Sequence, residues 1–124
     1  MPIYVTRGRY SAEAIRNLVA NPEDRLPAVR NLVEAAGGKL LSFYVTLGHY
    51  DFLIITEAPS AKEASAAILA AAASGSITDN ETTEAFTTAE AKQVFAGAGK
   101  VAESYKPTRQ LALLSARRRS HIVS

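Results

Sequence analysis

The chain has 124 residues, no cysteine, and a net charge of +2 at pH 7. This length fits one domain with its own hydrophobic core, and the lack of cysteine excludes disulfides, thiolate catalysis and cysteine metal sites. Residues 1–105 hold nine basic and all 12 acidic residues, whereas residues 106–124 hold five basic residues. Because a nucleic-acid surface needs clustered basic side chains, we expect no nucleic-acid partner for the body of the chain.

The start of the chain, MPIYVTRGRY, lacks the basic, apolar and small-residue order of a signal peptide. No run of about 18 apolar residues occurs that could span a bilayer. We therefore expect a cytoplasmic protein with no membrane partner.

The sequence predicts a strand at residues 3–9, followed by helices at 11–20 and 21–36. Strands follow at 39–47 and 50–57, then a helix at 60–74, a strand at 77–87 and a helix at 88–99. Ser11 and Ser60 have N-cap character. Asn21 is predicted to cap the second helix, with Pro22 at its first position and Pro27 in its first turns. Gly97 or Gly99 is predicted to end the last helix.

Residue alternation assigns the two middle strands. In the first, the residues predicted to point one way are Leu41, Phe43, Val45 and Leu47, and those predicted to point the other way are Ser42, Tyr44 and Thr46. The second is apolar on both faces over residues 52–55, which indicates a central strand.

This order of elements predicts an α+β fold, a ferredoxin-like βαββαβ sandwich with a four-stranded antiparallel sheet and helices on one face. Residues 1–99 form the predicted domain, and residues 100–124 a basic C-terminal extension. The alanine-rich helix is consistent both with high helix propensity and with close approach of another element.

The sheet face without helices is predicted to carry an apolar patch. Its candidate residues are Ser42, Tyr44 and Thr46, either Phe52 and Ile54 or Leu53 and Ile55, and in addition Tyr4 and Thr6. Such a patch is unfavourable in water, so we expect a homo-oligomer formed through this face.

Several segments resemble the GYD domain family of bacterial proteins: YVTRGRY, NPEDRLPAVR, GGKLLSFY and the turn GHYD. In that turn Gly48, Tyr50 and Asp51 match the family signature, and His49 occupies its variable position. The resemblance covers about residues 1–97. It implies a relation to dimeric α+β-barrel proteins, which include small monooxygenases and ligand-sensing domains, and at that level it indicates a fold and no particular reaction.

The turn itself has two interpretations. As a hairpin, Gly48 supplies backbone freedom, Asp51 bonds nearby backbone N–H groups, and Tyr50 begins the next strand. As a catalytic site, His49 or Asp51 would act as a base and Tyr50 as a hydrogen-bond donor. His49, Tyr50 and Asp51 are therefore the catalytic candidates.

The candidate ligand-binding residues are Tyr4, Arg7, Tyr44 and Tyr50. The tyrosines, together with Tyr10, could line a cavity for a flat organic molecule, and Arg7 could hold an anion. The alternative for Arg7 is an ion pair at the strand end. We expect no metal site and no cofactor, because the two histidines are far apart in sequence and no acidic cluster has ligand spacing.

The C-terminal extension contains candidate residues for binding a protein partner: Leu111, Leu114, Arg117, Arg118, Arg119, Ile122 and Val123. Apolar anchors next to three arginines are consistent with docking on another protein or subunit. A tail without structure and contact with an anionic surface are the alternatives.

Three functions remain open from the sequence. The first is a self-associating module that binds a small ligand or a protein, the second a small cofactor-free enzyme of the monooxygenase type, and the third a structural protomer or cargo of a larger assembly. A roomy cavity between sheet and helices, with His49, Tyr50 or Asp51 facing it, would favour the enzyme.

Overall fold

In a computed structural model of the chain, residues 1–108 are described. They belong to two units, the first spanning Met1–Phe86 and the second beginning at Thr87. The first unit contains β1 (Ile3–Tyr10), α1 (Ala12–Ala20), α2 (Leu26–Ala35), β2 (Lys39–Val45), β3 (Phe52–Glu57), α3 (Ala61–Ala73) and β4 (Ile77–Ala85), and the second contains α4 (Thr88–Ala102). Within residues 1–108, no helix is long and apolar enough to cross a bilayer.

The four strands form one antiparallel sheet in the order β2-β3-β1-β4. The two central strands are β1 and β3, which pair Tyr4 with Thr56 and Thr6 with Ile54. This order of strands, with helices between them, is the ferredoxin-like arrangement. The predicted fold class is confirmed.

The two faces of the sheet differ in burial. Tyr4 and Thr6 on β1, and Phe52 and Ile54 on β3, are buried on the inner face, toward α1, α2 and α3. The residues between them, such as Leu53, lie on the outer face and are partly exposed. Strand alternation therefore separates a helix-covered inner face from an outer face that no helix of the first unit covers.

Hydrogen bonds from side chains fix the starts of three helices. Ser11 accepts from the N–H of Ala14 at 3.1 Å, and Ser60 accepts from the N–H of Lys62 at 3.3 Å. Thr87 and Glu90 form a reciprocal capping box at the start of α4. The predicted caps at Ser11 and Ser60 are confirmed.

The predicted start of the second helix is wrong. Helix α2 begins at Leu26, and the side chain of Asp24 accepts from the Leu26 N–H at 2.9 Å. A helix beginning at Pro22 would place Pro27 in its interior, where the ring clashes with the preceding turn. Starting at Leu26 places Pro27 in the first turn, where its missing N–H costs nothing.

The strand boundaries and the alternation in β2 also differ from the prediction. Strand β2 ends at Val45, β3 begins only at Phe52, and the β2–β3 pairing shifts register between Leu40 and Ser42. A bulge of this kind adds one residue and breaks simple alternation. Consequently Leu41 has no partner residue on β3, whereas Phe43 pairs with Ile54.

The predicted end of the last helix is wrong as well. Gly97 and Gly99 both lie inside α4, which continues to Ala102. Neither glycine has a positive φ, the backbone conformation that ends a helix at glycine. A glycine in a helix interior costs only about 1 kcal/mol, so it does not have to end the helix.

Gly8 lies where β1 approaches its neighbours most closely. A Cβ atom at this position would lie 2.5 Å from Phe52 Cζ and 2.5 Å from Asn80 Oδ1. The β1–β4 pairing is irregular at this point, between Arg7 and Arg9. The absence of a side chain at Gly8 thus leaves room for the Phe52 ring on the inner face.

The candidate partner-binding residues of the C-terminal extension lie outside the described residues: Leu111, Leu114, Arg117, Arg118, Arg119, Ile122 and Val123. Their role and the domain boundary at residue 99 stay predictions.

Candidate functional site

A cavity of about 550 Å³, here called the main cavity, lies between the inner face of the sheet and helices α1, α2 and α3. Its floor is formed by alternate residues of the two central strands, Thr6, Phe52, Ile54 and Thr56. On the helix side, Ala64, Ala67 and Ala71 of α3 line it. Because alanine side chains are short, the packing of α3 on the sheet leaves a volume within the range of small-molecule sites.

The lining of the main cavity is largely apolar, with hydroxyl groups on the sheet side. Apolar lining residues include Leu18, Val29, Leu32, Phe43, Ile54 and Ile68. The Thr6 hydroxyl is bonded to the Thr82 hydroxyl at 3.0 Å. Thr56, on the neighbouring strand, is buried and also lines the cavity. Such a surface suits an apolar molecule with few polar groups.

A second cavity of about 460 Å³, here called the adjoining cleft, lies toward the β2–β3 hairpin. It is lined by residues of α1, of the segment 22–26, of β2 and of the hairpin. Five residues line both cavities, and we call them the junction: Tyr10, Leu18, Glu23, Arg25 and Phe43. The two cavities therefore meet at the junction.

Tyr10 is held in place at the junction from two sides. Its ring lies 5.4 Å from that of Phe52, and its backbone N–H donates to Asp51 Oδ2 at 2.9 Å. Burial raises the pKa of the Tyr10 hydroxyl; the positive charge of Arg25 acts to lower it and the negative charge of Asp51 to raise it. The hydroxyl is therefore protonated at neutral pH and able to donate a hydrogen bond.

The GHYD turn is a hairpin connection in which Tyr50 and Asp51 precede β3 rather than lying within it. Gly48 has a φ of 149°, a conformation that side chains disfavour. Thr46 closes the hairpin: its N–H donates to the Asp51 carbonyl at 2.8 Å and its hydroxyl donates to the Tyr50 carbonyl at 2.7 Å. The backbone conformation of the turn therefore explains why glycine occupies position 48.

Asp51 links the hairpin to β1. Its N–H donates to the Gly8 carbonyl at 2.8 Å, and its carboxylate accepts from the Tyr10 N–H at 2.9 Å. The sequence interpretation placed the bonding partners of Asp51 within its own turn, whereas they lie on the neighbouring strand. Asp51 also lines the adjoining cleft, but one oxygen of its carboxylate is already bonded to the backbone.

Tyr50 and His49 do not line the main cavity. The Tyr50 hydroxyl donates to Glu81 Oε2 at 2.5 Å, and this hydrogen bond raises the pKa of Tyr50. His49 is exposed and packs edge-to-face on the Tyr50 ring, with centroids 4.7 Å apart. Glu81 pairs with Arg7 across β1 and β4. The structure therefore brings Tyr50, Glu81 and Arg7 together at one end of the outer face.

The four candidate ligand-binding residues do not form one group. Tyr44 and Arg7 are exposed; each pairs with the outer-face residue Leu53, and Tyr50 lies near Arg7. Tyr4 was a candidate for the outer face, but it is buried on the inner face, where it clusters with Ala58 and Ala64. Thr6 likewise lies on the inner face. Alternation along β1 explains both corrections, because positions 4 and 6 share one side and position 7 has the other.

Apart from Tyr10, the residues that line the main cavity were not predicted from the sequence as cavity residues. The alanine-rich run of α3 is consistent in sequence with high helix propensity or with close approach of another element, and part of it lines the cavity. Thr56, a polar residue directly after the apolar run 52–55, was a second signal. A buried hydroxyl in a central strand can indicate a polar contact inside the fold.

A comparison with family models identifies one match. The model of the GYD domain matches residues 4–95, about three quarters of the chain. This chain belongs to the GYD domain family. The match includes the GHYD turn, the sheet and helices α1, α2 and α3, so in this GYD domain the main cavity lies inside the matched region. A comparison with curated proteins finds no match.

Solved structures similar to this GYD domain are distant in sequence. FFRP-DM1 is 20% identical over 69% of this chain and 100% of its own, with a TM-score of 0.43. A protein from Thermus thermophilus is 16% identical over 70% of this chain and 95% of its own, with a TM-score of 0.46. MtbAldR is 11% identical over 69% of this chain and 52% of its own, with a TM-score of 0.48. These similarities assign no function to the chain.

Proposed function

We propose that this GYD-domain chain is a binding module whose small, mainly apolar ligand occupies the main cavity. The observation that carries the proposal is the volume of about 550 Å³ between the sheet and α1, α2 and α3. Well-packed interiors leave few voids larger than a water molecule. A largely apolar cavity of this size, lined also by the buried residues Thr6 and Thr56, is typical of a ligand site.

Binding has more support than catalysis. Of the three catalytic candidates, His49 and Tyr50 do not line either cavity, and Asp51 lines only the adjoining cleft. The Asp51 carboxylate accepts a backbone hydrogen bond, and the Tyr50 hydroxyl is bonded to Glu81. The roomy cavity that an enzyme of the monooxygenase type would need is present, but the catalytic candidates do not face it.

Self-association through the outer face is the second part of the proposal. Val5, Leu53 and Ile55 are partly exposed on this face, and Tyr44 is 60% exposed beside them. Contiguous apolar side chains on a sheet face favour contact with another surface. A second copy of the chain offers the same face, so a single contact would remove the apolar side chains of both copies from water.

Filling the cavity tests the binding proposal. The substitution Ala71→Phe places a benzyl group on the cavity side of α3, whereas Ala66→Phe places the same group on an exposed position of the same helix that does not line the cavity. The probe is Nile red, an uncharged dye whose fluorescence rises in apolar surroundings. We expect Ala71→Phe to weaken Nile red binding at least about tenfold, a loss of about 1.4 kcal/mol, and Ala66→Phe to leave it unchanged.

Thermal unfolding of both variants serves as the control for folding. If Ala71→Phe remains folded and binds Nile red as tightly as the unsubstituted chain, the ligand does not occupy the main cavity and the proposal is wrong.

A further inference from the structure

We propose that the ligand of the main cavity is an uncharged molecule with one polar head, which contacts Tyr10 and Arg25 at the junction while its apolar body lies against α3. This inference rests on the proposed function and adds the chemical class of the ligand. It excludes carboxylates and other anions as well as ammonium compounds.

At the junction, charged side chains join the mainly apolar lining of the cavity. On the α3 side the wall consists of alanines and Ile68, with Glu63 in the first turn of the helix and Ser74 at its end, whereas the segment 22–25 contributes Glu23, Asp24 and Arg25 around the adjoining cleft. Tyr10 and Phe43 line both cavities, so their rings lie at the transition. A molecule that fills the main cavity therefore places its remaining polar group at this boundary.

The Tyr10 hydroxyl is free to bind that polar group. Its ring packs on Phe52 and its backbone N–H is bonded to Asp51, so both anchors leave the hydroxyl unused. Among residues 1–108, no group forms a hydrogen bond with this hydroxyl. A fixed, half-buried donor with no protein partner gives a ligand oxygen a well-placed contact at a small entropic cost.

The charges around the junction decide against an anionic head. Arg25 is the basic side chain that lines the two cavities, and its Nη1 is already 2.7 Å from Glu23 Oε1. Asp24 and Asp51 also line the adjoining cleft, and Glu57 and Glu63 line the other end of the main cavity. A carboxylate at the junction would be partly desolvated among more negative than positive charges.

A cationic head is disfavoured for a different reason. The head position lies next to the Arg25 guanidinium and the apolar ring of Phe43, and the acidic residue of the junction, Glu23, is already paired with Arg25. An ammonium group here would be partly buried beside a like charge, and the Glu23 carboxylate that could offset this cost is already bonded to Arg25. A hydroxyl or carbonyl group meets neither penalty, since it can accept from Tyr10 and from Arg25.

A set of probes with one apolar body and different heads tests the inference. The probes are naphthylmethanol, naphthoate, naphthylmethylammonium and naphthalene, each titrated against the full chain by displacement of Nile red. We expect naphthylmethanol to bind at least about tenfold more tightly than either charged probe. This ratio corresponds to a cost of about 1.4 kcal/mol for placing the charged head at the junction. Naphthalene should bind with an affinity between the alcohol and the charged probes.

The variant Tyr10→Phe tests the contact itself. It keeps the ring packing and the backbone N–H bond to Asp51 and removes only the hydroxyl. We expect about a fivefold loss of naphthylmethanol affinity, the size of one net hydrogen bond, and an unchanged affinity for naphthalene. An equal loss for both probes would mean that Tyr10 only shapes the cavity, and would overturn its role as the head contact.

The outcomes separate this inference from the proposed function. Equal binding of all four probes, abolished by Ala71→Phe, would refute the assigned ligand class and leave the cavity as the binding site. Tighter binding of naphthoate or of naphthylmethylammonium than of the alcohol would refute it as well. Failure of every probe and of Nile red to bind would refute the proposed function itself. The affinities of the four probes are ranked on the unsubstituted chain, so this test of the ligand class does not depend on whether Tyr10→Phe folds.

Discussion

Three residues of the GYD signature have three separate physical roles. Gly48 adopts a positive φ in the turn, Asp51 is bonded to the backbone of β1, and Tyr50 is bonded to Glu81 on β4. Together they connect the β2–β3 hairpin to two other strands of the sheet. The signature is thus explained by the folding of the hairpin, independently of any chemistry at His49.

The hydrogen bond between Tyr50 and Glu81 predicts a pH dependence of stability. The pKa of Tyr50 is raised in the folded chain by this bond, which favours the protonated phenol. Its contribution to the free energy of unfolding is therefore complete below the pKa of an unfolded tyrosine, about 10, and is lost as pH rises through the higher folded value. We expect urea unfolding at about pH 9 and about pH 11 to show a smaller decline for Tyr50→Phe than for the unsubstituted chain.

The matched control for this experiment is Tyr44→Phe, which removes an exposed hydroxyl from the outer face. If the two variants show the same decline with pH, the Tyr50 bond makes no difference to stability and the prediction fails.

At the scale of elements, the hairpin depends on Asp51 for its attachment to β1. The residue contributes one backbone donor and one charged acceptor to the strand that lies beside β3. Removing a charged acceptor leaves the Tyr10 N–H without its partner. The hairpin would then be joined to β1 by the β1–β3 ladder and the remaining Asp51 N–H bond alone.

The substitution Asp51→Ala should lower the free energy of unfolding by about 1.5–3 kcal/mol, the range for a hydrogen bond to a charged group. Asp51→Asn keeps an acceptor and should cost less. Urea unfolding measures both. Glu34→Ala, at an exposed position of α2, is the control and should change the value by no more than about 0.5 kcal/mol. A cost for Asp51→Ala as small as that of Glu34→Ala would show that the attachment is not needed.

Local patterns in the sequence predicted the fold class, because the N-cap serines and the apolar periodicities act within a few residues. They did not predict the start of α2, since that depends on where Pro27 can be tolerated. Nor could they choose between Phe52 with Ile54 and Leu53 with Ile55 for the outer face, because all four are apolar. The size and lining of the main cavity could not be predicted from local patterns, because the cavity arises from short side chains on α3 opposite the sheet, a relation between distant segments.

At the scale of the whole molecule, the outer face is the proposed contact between copies of the chain. Leu53 lies on the central strand β3 and pairs with both Arg7 and Tyr44, so it lies near the middle of the proposed contact. A charge at this position would have to be buried if two outer faces packed together.

We expect the unsubstituted chain to sediment as a dimer or larger oligomer and Leu53→Lys to sediment as a monomer in analytical ultracentrifugation. Leu69→Lys, at an exposed position on α3, should keep the oligomer. A monomeric unsubstituted chain, or an oligomer that Leu53→Lys leaves intact, would exclude the outer face as the contact.

The close approach at Gly8 has a consequence for how sequences with this fold can diverge. The space that a methyl group at position 8 would need is filled by the Phe52 ring and the Asn80 side chain. Positions 8 and 52 are 44 residues apart, yet neither can gain volume independently of the other. We expect relatives that carry alanine at the position of Gly8 to carry a smaller side chain at the position of Phe52, so that the two sites covary and change the shape of the main cavity's floor together.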